Sequence, residues 1–144
     1  MIKEIIHFLR YSKNKRMVVM TFILTAWFRF CIIIVPMQRL KERFGISGEE
    51  SSKEASVQEY KIASRVARIV NRVATHTPWE SKCLVRALTA QKLLKHYHIS
   101  STLYLGVGKE NGTKMIAHAW LRCGEYYVSG GQGEGYAQVA KFRA

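Results

Sequence analysis

The chain reads as an α+β domain in which helical segments come first and antiparallel strands follow. Three observations predict this. Apolar residues recur at helical spacing up to Thr75 and again from Leu84 to Tyr97. From Thr102 onward the period becomes that of strands. The turn signals are strong at both breaks, His76-Thr77-Pro78 after one helix and Asn111-Gly112 inside a hairpin. With 144 residues, 48% of them hydrophobic, the chain can bury one sizeable core but not two large ones.

Taken in order, Ile2, Ile5, Ile6 and Leu9 predict a short amphipathic helix. Met17 to Val35, closed by Pro36, is the most apolar segment and is long enough to cross a bilayer. Arg29 opposes a span, at about 2.5–3.5 kcal/mol on insertion scales, and no small-residue cleavage site follows. The favoured reading is a helix buried in the protein or covered by a partner, ahead of peripheral membrane contact through residues 17–36 and of a true span. Gly45 to Ser56 is polar and predicts a linker. The expected organisation is therefore a helical arm over 1–45, a linker over 46–56 and a main domain over 57–144.

Val57 to Thr75 alternates an apolar face with Lys61, Arg65, Arg68 and Arg72, and stops where the residue before Pro78 must leave helical geometry. Leu84 to Tyr97 predicts a helix opening near Cys83, with Ser81 as its N-cap. Strands are predicted over Thr102–Val107, Met115–Arg122, Tyr126–Val128 and Tyr136–Phe142, as a meander interrupted by a glycine-rich loop from Ser129 to Gly135. Those glycines form no phosphate loop, because no Gly-Lys-Ser/Thr follows.

The net charge of +13 favours an acidic partner: a nucleic acid, an anionic lipid, or an acidic peptide or protein surface. No recognisable nucleic-acid module interleaves the basic residues, so nucleic acid is not expected. The three cysteines, 31, 83 and 123, are odd in number and widely spaced, which argues against a disulfide framework. No CxxC pair exists, and His96 and His98 have no cysteines at zinc spacing, so no metal is expected. A reducing cytoplasm suits this set, with membrane association the option left by 17–36. The chain contains no aspartate.

A thiol attacks as thiolate, and the first turn of a helix favours that form through its free N–H groups and dipole. Cys83 is expected there, with Lys82 adding positive charge; Cys31 and Cys123 lack that setting. A nucleophilic cysteine also needs a base. His118 is the candidate, on a strand face shared with Ile116 and Trp120. A strand histidine among apolar neighbours is more often a satisfied core residue, so spacing alone leaves both readings open.

The segment THTPWESKCLVRALTAQKLLKHYHISSTLYLGVGK, followed by AHAWLRCGEYYVSGG, resembles the leader peptidases of lasso-peptide biosynthesis. These correspond to the C-terminal half of the microcin-processing B proteins. The Pro-Trp-x-x-x-Cys-Leu, Leu-Gly-Val and His-Ala-Trp elements stand in order, and the apolar arm ending near Gly45 is similar to the family's helical extension. The resemblance implies a papain-like or transglutaminase-like fold, a helix bearing cysteine packed on an antiparallel sheet. It implies Cys83 as nucleophile and His118 as base, and no cofactor. It implies removal of a leader peptide from a ribosomally made precursor, with a leader-recognition protein and an ATP-dependent macrolactam cyclase as further partners. The family's orienting aspartate, about a dozen residues after the histidine, is missing. Folding the hairpin about Gly124-Glu125 puts residues 129–131 roughly opposite His118, so Ser129, Gln132 and Glu134 are the candidates for that role. Trp79 and Trp120 are expected either to wall the cleft or to pack in the core. Two other readings follow from the same residues. One is a catalytically degenerate scaffold that recruits the precursor or the cyclase; the other is a membrane-associated acyltransferase using the same pair.

Overall fold

The computed structural model describes residues 15–144 together with Ile2, Lys3 and Ile6. The short helix expected over 2–9 therefore lies largely outside the described residues. The apolar segment forms α1 (Lys15–Ile34). Pro36 ends it and opens a single turn, α2 (Met37–Leu40), which tightens into a 3-10 turn over Lys41–Arg43. A two-residue strand β1 (Ile46–Ser47) follows. The two later helical segments become α3 (Val57–Ala74), which is amphipathic, and α4 (Cys83–His96), which is buried on most sides. The strands are β2 (Thr102–Glu110), β3 (Lys114–Cys123), β4 (Tyr126–Ser129) and β5 (Ala137–Arg143).

α3 starts on a complete capping box. Ser56 Oγ accepts from the Glu59 N–H while the Glu59 carboxylate accepts from the Ser56 N–H, both at 3.1 Å. Its apolar stripe, Ala63, Val66, Ile69, Val70 and Val73, is buried against α4 and the sheet. Such a stripe is what makes an isolated helix stable in a protein, since propensity alone is marginal.

The five strands lie in the order β1-β5-β2-β3-β4, every neighbouring pair antiparallel. The last strand corrects the expected meander. β5 does not continue outward from β4 but crosses back to pair with β2 on the other side. Gly130, Gly131, Gly133 and Gly135 all have positive φ, and this run of left-handed residues turns the chain back across the sheet.

Side chains alternate between two unlike faces. Leu103, Ala119, Leu121 and Phe142 face the helices and share a core with Leu88, Leu93 and Leu94 of α4. Tyr104, His118, Trp120 and Arg122 occupy the opposite face. There Arg122 is only 4% exposed. Its guanidinium donates to Tyr104 Oη (3.0 Å), Gly124 O (2.5 Å) and Ser51 O (3.0 Å). A buried charge is tolerable when its donors are satisfied in this way.

The segment expected as a linker, 46–56, is a strap tied across this second face. Ile46 and Ser47 pair with Arg143 and Phe142 of β5. The Ser51 N–H and hydroxyl both meet Thr102 Oγ1 at 2.7 Å. Tyr104 Oη donates to Glu50 at 2.7 Å, and Arg143 pairs with Glu49 at 2.7 Å. Polar composition reads as solvent-exposed loop in a sequence, yet here the polar groups serve the buried edge of the sheet. The arm likewise shares the core of the main domain. Phe44 is 1% exposed, packs edge-to-face on Phe142, and its carbonyl accepts from Gln91 Nε2 at 2.8 Å.

α1 is half-committed to this core. Met17, Val18, Thr21, Thr25 and Cys31 are buried, whereas Val19, Ile23, Trp27, Phe30 and Ile33 are exposed, Trp27 at 52% and Ile33 at 65%. The helix is long and apolar enough to cross a membrane, but 28% of that window is buried inside the protein. Its outward face is an unbroken apolar stripe continued by Met37.

Candidate active site

Cys83 is the first residue of α4, so its backbone N–H is among those left free by the helix geometry. The N-cap is Lys82, without a side-chain cap, rather than the expected Ser81. The Ser81 hydroxyl is engaged with Thr77 Oγ1 at 2.8 Å, and its carbonyl accepts from Arg86 Nε at 2.8 Å. The approach to the helix is thus braced by its own loop. Lys82 Nζ lies 2.9 Å from Glu80, which also faces Arg29 at 3.5 Å. The hydrogen bond and charge of Glu80 raise the Lys82 pKa, and those of Lys82 hold Glu80 below its usual range. The positive charge expected beside Cys83 is therefore largely answered by a carboxylate.

All three thiols are free. Cys31 and Cys123 are buried, while Cys83 is only partly so. Burial pushes the Cys123 pKa up, which disfavours its thiolate.

His118 sits in β3 directly across from Gly106 of β2. Its ring is layered between two aromatic rings, Tyr136 at 4.6 Å and Trp120 at 5.9 Å between centroids. Trp120 in turn stacks on Tyr104 at 5.6 Å. Trp120 needs two glycines: a Cβ on Gly106 or on Gly133 would run into its indole. Trp120 thus lies beside the imidazole, whereas Trp79 does not. Trp79 packs on α1, edge-on to Phe22 and donating from Nε1 to Thr25 Oγ1 at 3.2 Å.

The imidazole Nε2 is 2.7 Å from the backbone carbonyl of Gly130. A carbonyl oxygen only accepts, so Nε2 carries the proton and the lone pair of the neutral ring is on Nδ1. Gly130 is the twelfth residue after His118, and its backbone carbonyl is the group that meets the ring. The ring's hydrogen bond runs to this carbonyl and not to the side chains of Ser129, Gln132 or Glu134. Gly130, at φ 77°, has no room for a side chain, because a Cβ would collide with the Ala119 carbonyl and with Trp120.

Among the described residues no hydrogen bond joins Cys83 to His118. Alternation explains why. Cys83 packs toward the helix-side core, whereas His118 belongs to the other face of the sheet. The two are nonetheless brought to one end of the molecule. Gly130, bonded to His118, and Arg86, one turn beyond Cys83, line the same cavity. The residues that reading the sequence missed are Gly130 and Tyr136. A backbone carbonyl has no sequence signature, and Tyr136 was legible only as the start of a strand.

A family model described as the transglutaminase-like superfamily matches residues 28–143, which includes the last third of α1, the strap and every strand. No curated protein and no solved structure matches the chain significantly.

Proposed function

The chain belongs to the transglutaminase-like superfamily, a group that includes cysteine peptidases, and on that premise we propose that it removes the leader peptide from a ribosomally made lasso-peptide precursor. The observation that carries the reading is the contrast among the thiols. Cys83 alone is partly open to solvent and stands at the start of a helix, while Cys31 and Cys123 are buried.

In this mechanism Gly130 O holds the Nε2–H of His118 and leaves Nδ1 basic. Nδ1 takes the Sγ proton of Cys83 as the bound peptide draws the two elements together; catalytic hydrogen bonds commonly tighten only in the substrate complex. The thiolate adds to the last leader carbonyl. The free N–H of Cys83 at the helix start donates to the resulting oxyanion. The imidazolium then gives its proton to the leaving amine, and water hydrolyses the thioester. The expected partners are a leader-recognition protein and an ATP-dependent macrolactam cyclase. Peripheral membrane contact, the second reading of residues 17–36, would use the outer stripe of α1, and co-sedimentation on anionic vesicles is its check.

The test is incubation of a candidate precursor with the protein, with and without a leader-binding protein, read by mass spectrometry. The expected result is leader removal that disappears in Cys83→Ala and in His118→Ala while circular dichroism stays native. Full activity of Cys83→Ala would refute the reading. A second reading, a non-catalytic scaffold that recruits precursor or cyclase, is favoured by the missing Cys83–His118 hydrogen bond and by the neutral carbonyl at the orienting position. Iodoacetamide separates the two. A peptidase is labelled at Cys83 far faster than an unactivated exposed thiol of a model peptide; a scaffold is labelled no faster.

A further inference from the structure

A cavity of about 740 Å³ lies between the second half of α3, the first turn of α4 and the end of β4. Its wall includes Arg68, Arg72, His76 and Arg86, and no acidic residue is among the described residues lining it. Arg68 and Arg72 are four residues apart on α3, hence on one side of that helix. Arg86 is aimed by two hydrogen bonds, Nε to Ser81 O at 2.8 Å and Nη1 to Asn71 Oδ1 at 2.6 Å. Both acceptors are neutral, so these bonds fix the guanidinium without cancelling its charge.

The position matters as much as the charge. Gly130, whose carbonyl holds the His118 ring, is part of the wall, and Arg86 is one helical turn from Cys83. Neither Cys83 nor His118 lines the cavity, but its wall holds the residue bonded to the imidazole and a residue one turn from the thiol. We propose that it is the subsite for an acidic side chain of the peptide substrate, with Arg68 and Arg86 donating to the carboxylate. Resting on the peptidase reading, this names the substrate class: a peptide bearing Asp or Glu close to the bond that is cut. Guanidinium groups suit the task because their planar donors match the two oxygens of a carboxylate. The volume accommodates a side chain with part of its backbone.

The experiment uses binding, so that it does not depend on cleavage. The full chain carrying Cys83→Ala is titrated, by fluorescence anisotropy, into three dye-labelled octapeptides. These are (Gly-Glu)4 amide, (Gly-Gln)4 amide, and (Gly-Gln)4 with a free C-terminal carboxylate. The expected result is roughly tenfold tighter binding of the Glu peptide than of either Gln peptide, the range of a charge-assisted hydrogen bond. Adding Arg68→Gln, at an exposed position, should remove most of that preference, whereas Arg39→Gln, outside the cavity and equal in charge change, should keep it. Equal binding of the Glu and Gln amides overturns the proposal. So does an equal loss in Arg39→Gln, which would reduce the effect to the general charge of +13. Binding of the free-carboxylate peptide as tightly as the Glu peptide overturns the side-chain assignment. Leader removal that survives any of these results leaves the peptidase reading intact.

Discussion

The two faces of the sheet are built by different physics. On the helix side Leu103, Ala119, Leu121 and Phe142 belong to the apolar core, and its burial is the main source of stability. On the other side Tyr104, His118, Trp120 and Arg122 are held by ring stacking and directed hydrogen bonds, under a cover of strap and glycine loop rather than helix. One residue of alternation separates the two, so a register slip of one would exchange the core alanine Ala119 for the imidazole of His118. The comparison teaches that this fold keeps its apolar core and the hydrogen-bonded surroundings of His118 on opposite faces of one sheet. The polar side can change its partners without dissolving the core.

That division can be broken by paired substitutions. His118→Ala should lower leader removal by about 10²–10⁴-fold, the usual worth of proton transfer, with little change in the thermal midpoint. Leu121→Ala, three residues away on the dry face, should instead cost about 2–5 kcal/mol in urea unfolding. If both variants lose activity and stability together, the faces are not independent. Arg122→Met is the next test, because it removes the donors that bind the strap and leaves buried acceptors unmatched. The expected loss is about 2–3 kcal/mol, accompanied by faster amide exchange over 49–54. Gly130→Ala should cost about 1–3 kcal/mol from its left-handed φ and the contact with the Ala119 carbonyl, and should depress activity by displacing the acceptor of Nε2.

The smallest effect sharpens the picture through pH. The Tyr104 hydroxyl, helped by Lys141 and Arg122, holds Glu50 below its ordinary value. A carboxylate with a depressed folded pKa contributes stability above its unfolded pKa and loses it as pH falls through the folded one. The strap should therefore loosen as the solution is acidified below the normal glutamate range, and Glu50→Gln should flatten that part of the curve. Because Glu50 is well exposed, the change in thermal midpoint should be small, about one or two degrees.

Much of the architecture was legible because it rests on periodicity and turn chemistry. The start of α3 at Val57, the Asn111-Gly112 hairpin and the opening of α4 at Cys83 all follow from local residue types. What escaped were features decided by distant partners. Nothing local says that Ser51 will meet Thr102, or that Arg122, basic and near the end of β3, will be buried with satisfied donors. The return of β5 to β2 depends on the direction the glycine loop takes, and glycine is compatible with several. The candidate site was half legible. Cysteine and histidine announce themselves, and hairpin folding placed residues 129–131 near the ring, but a carbonyl that substitutes for a carboxylate does not.

The strap also sets where this protein can be cut. A shortened chain starting at Val57 would keep α3, α4 and four strands, and would look like a self-sufficient module. It would nevertheless lose Phe44 from beneath β5, the two-residue strand on the sheet edge, and the Ser51 carbonyl that satisfies Arg122. The smallest autonomous unit must therefore begin upstream of Phe44, and trimming for expression or crystallisation should respect that limit.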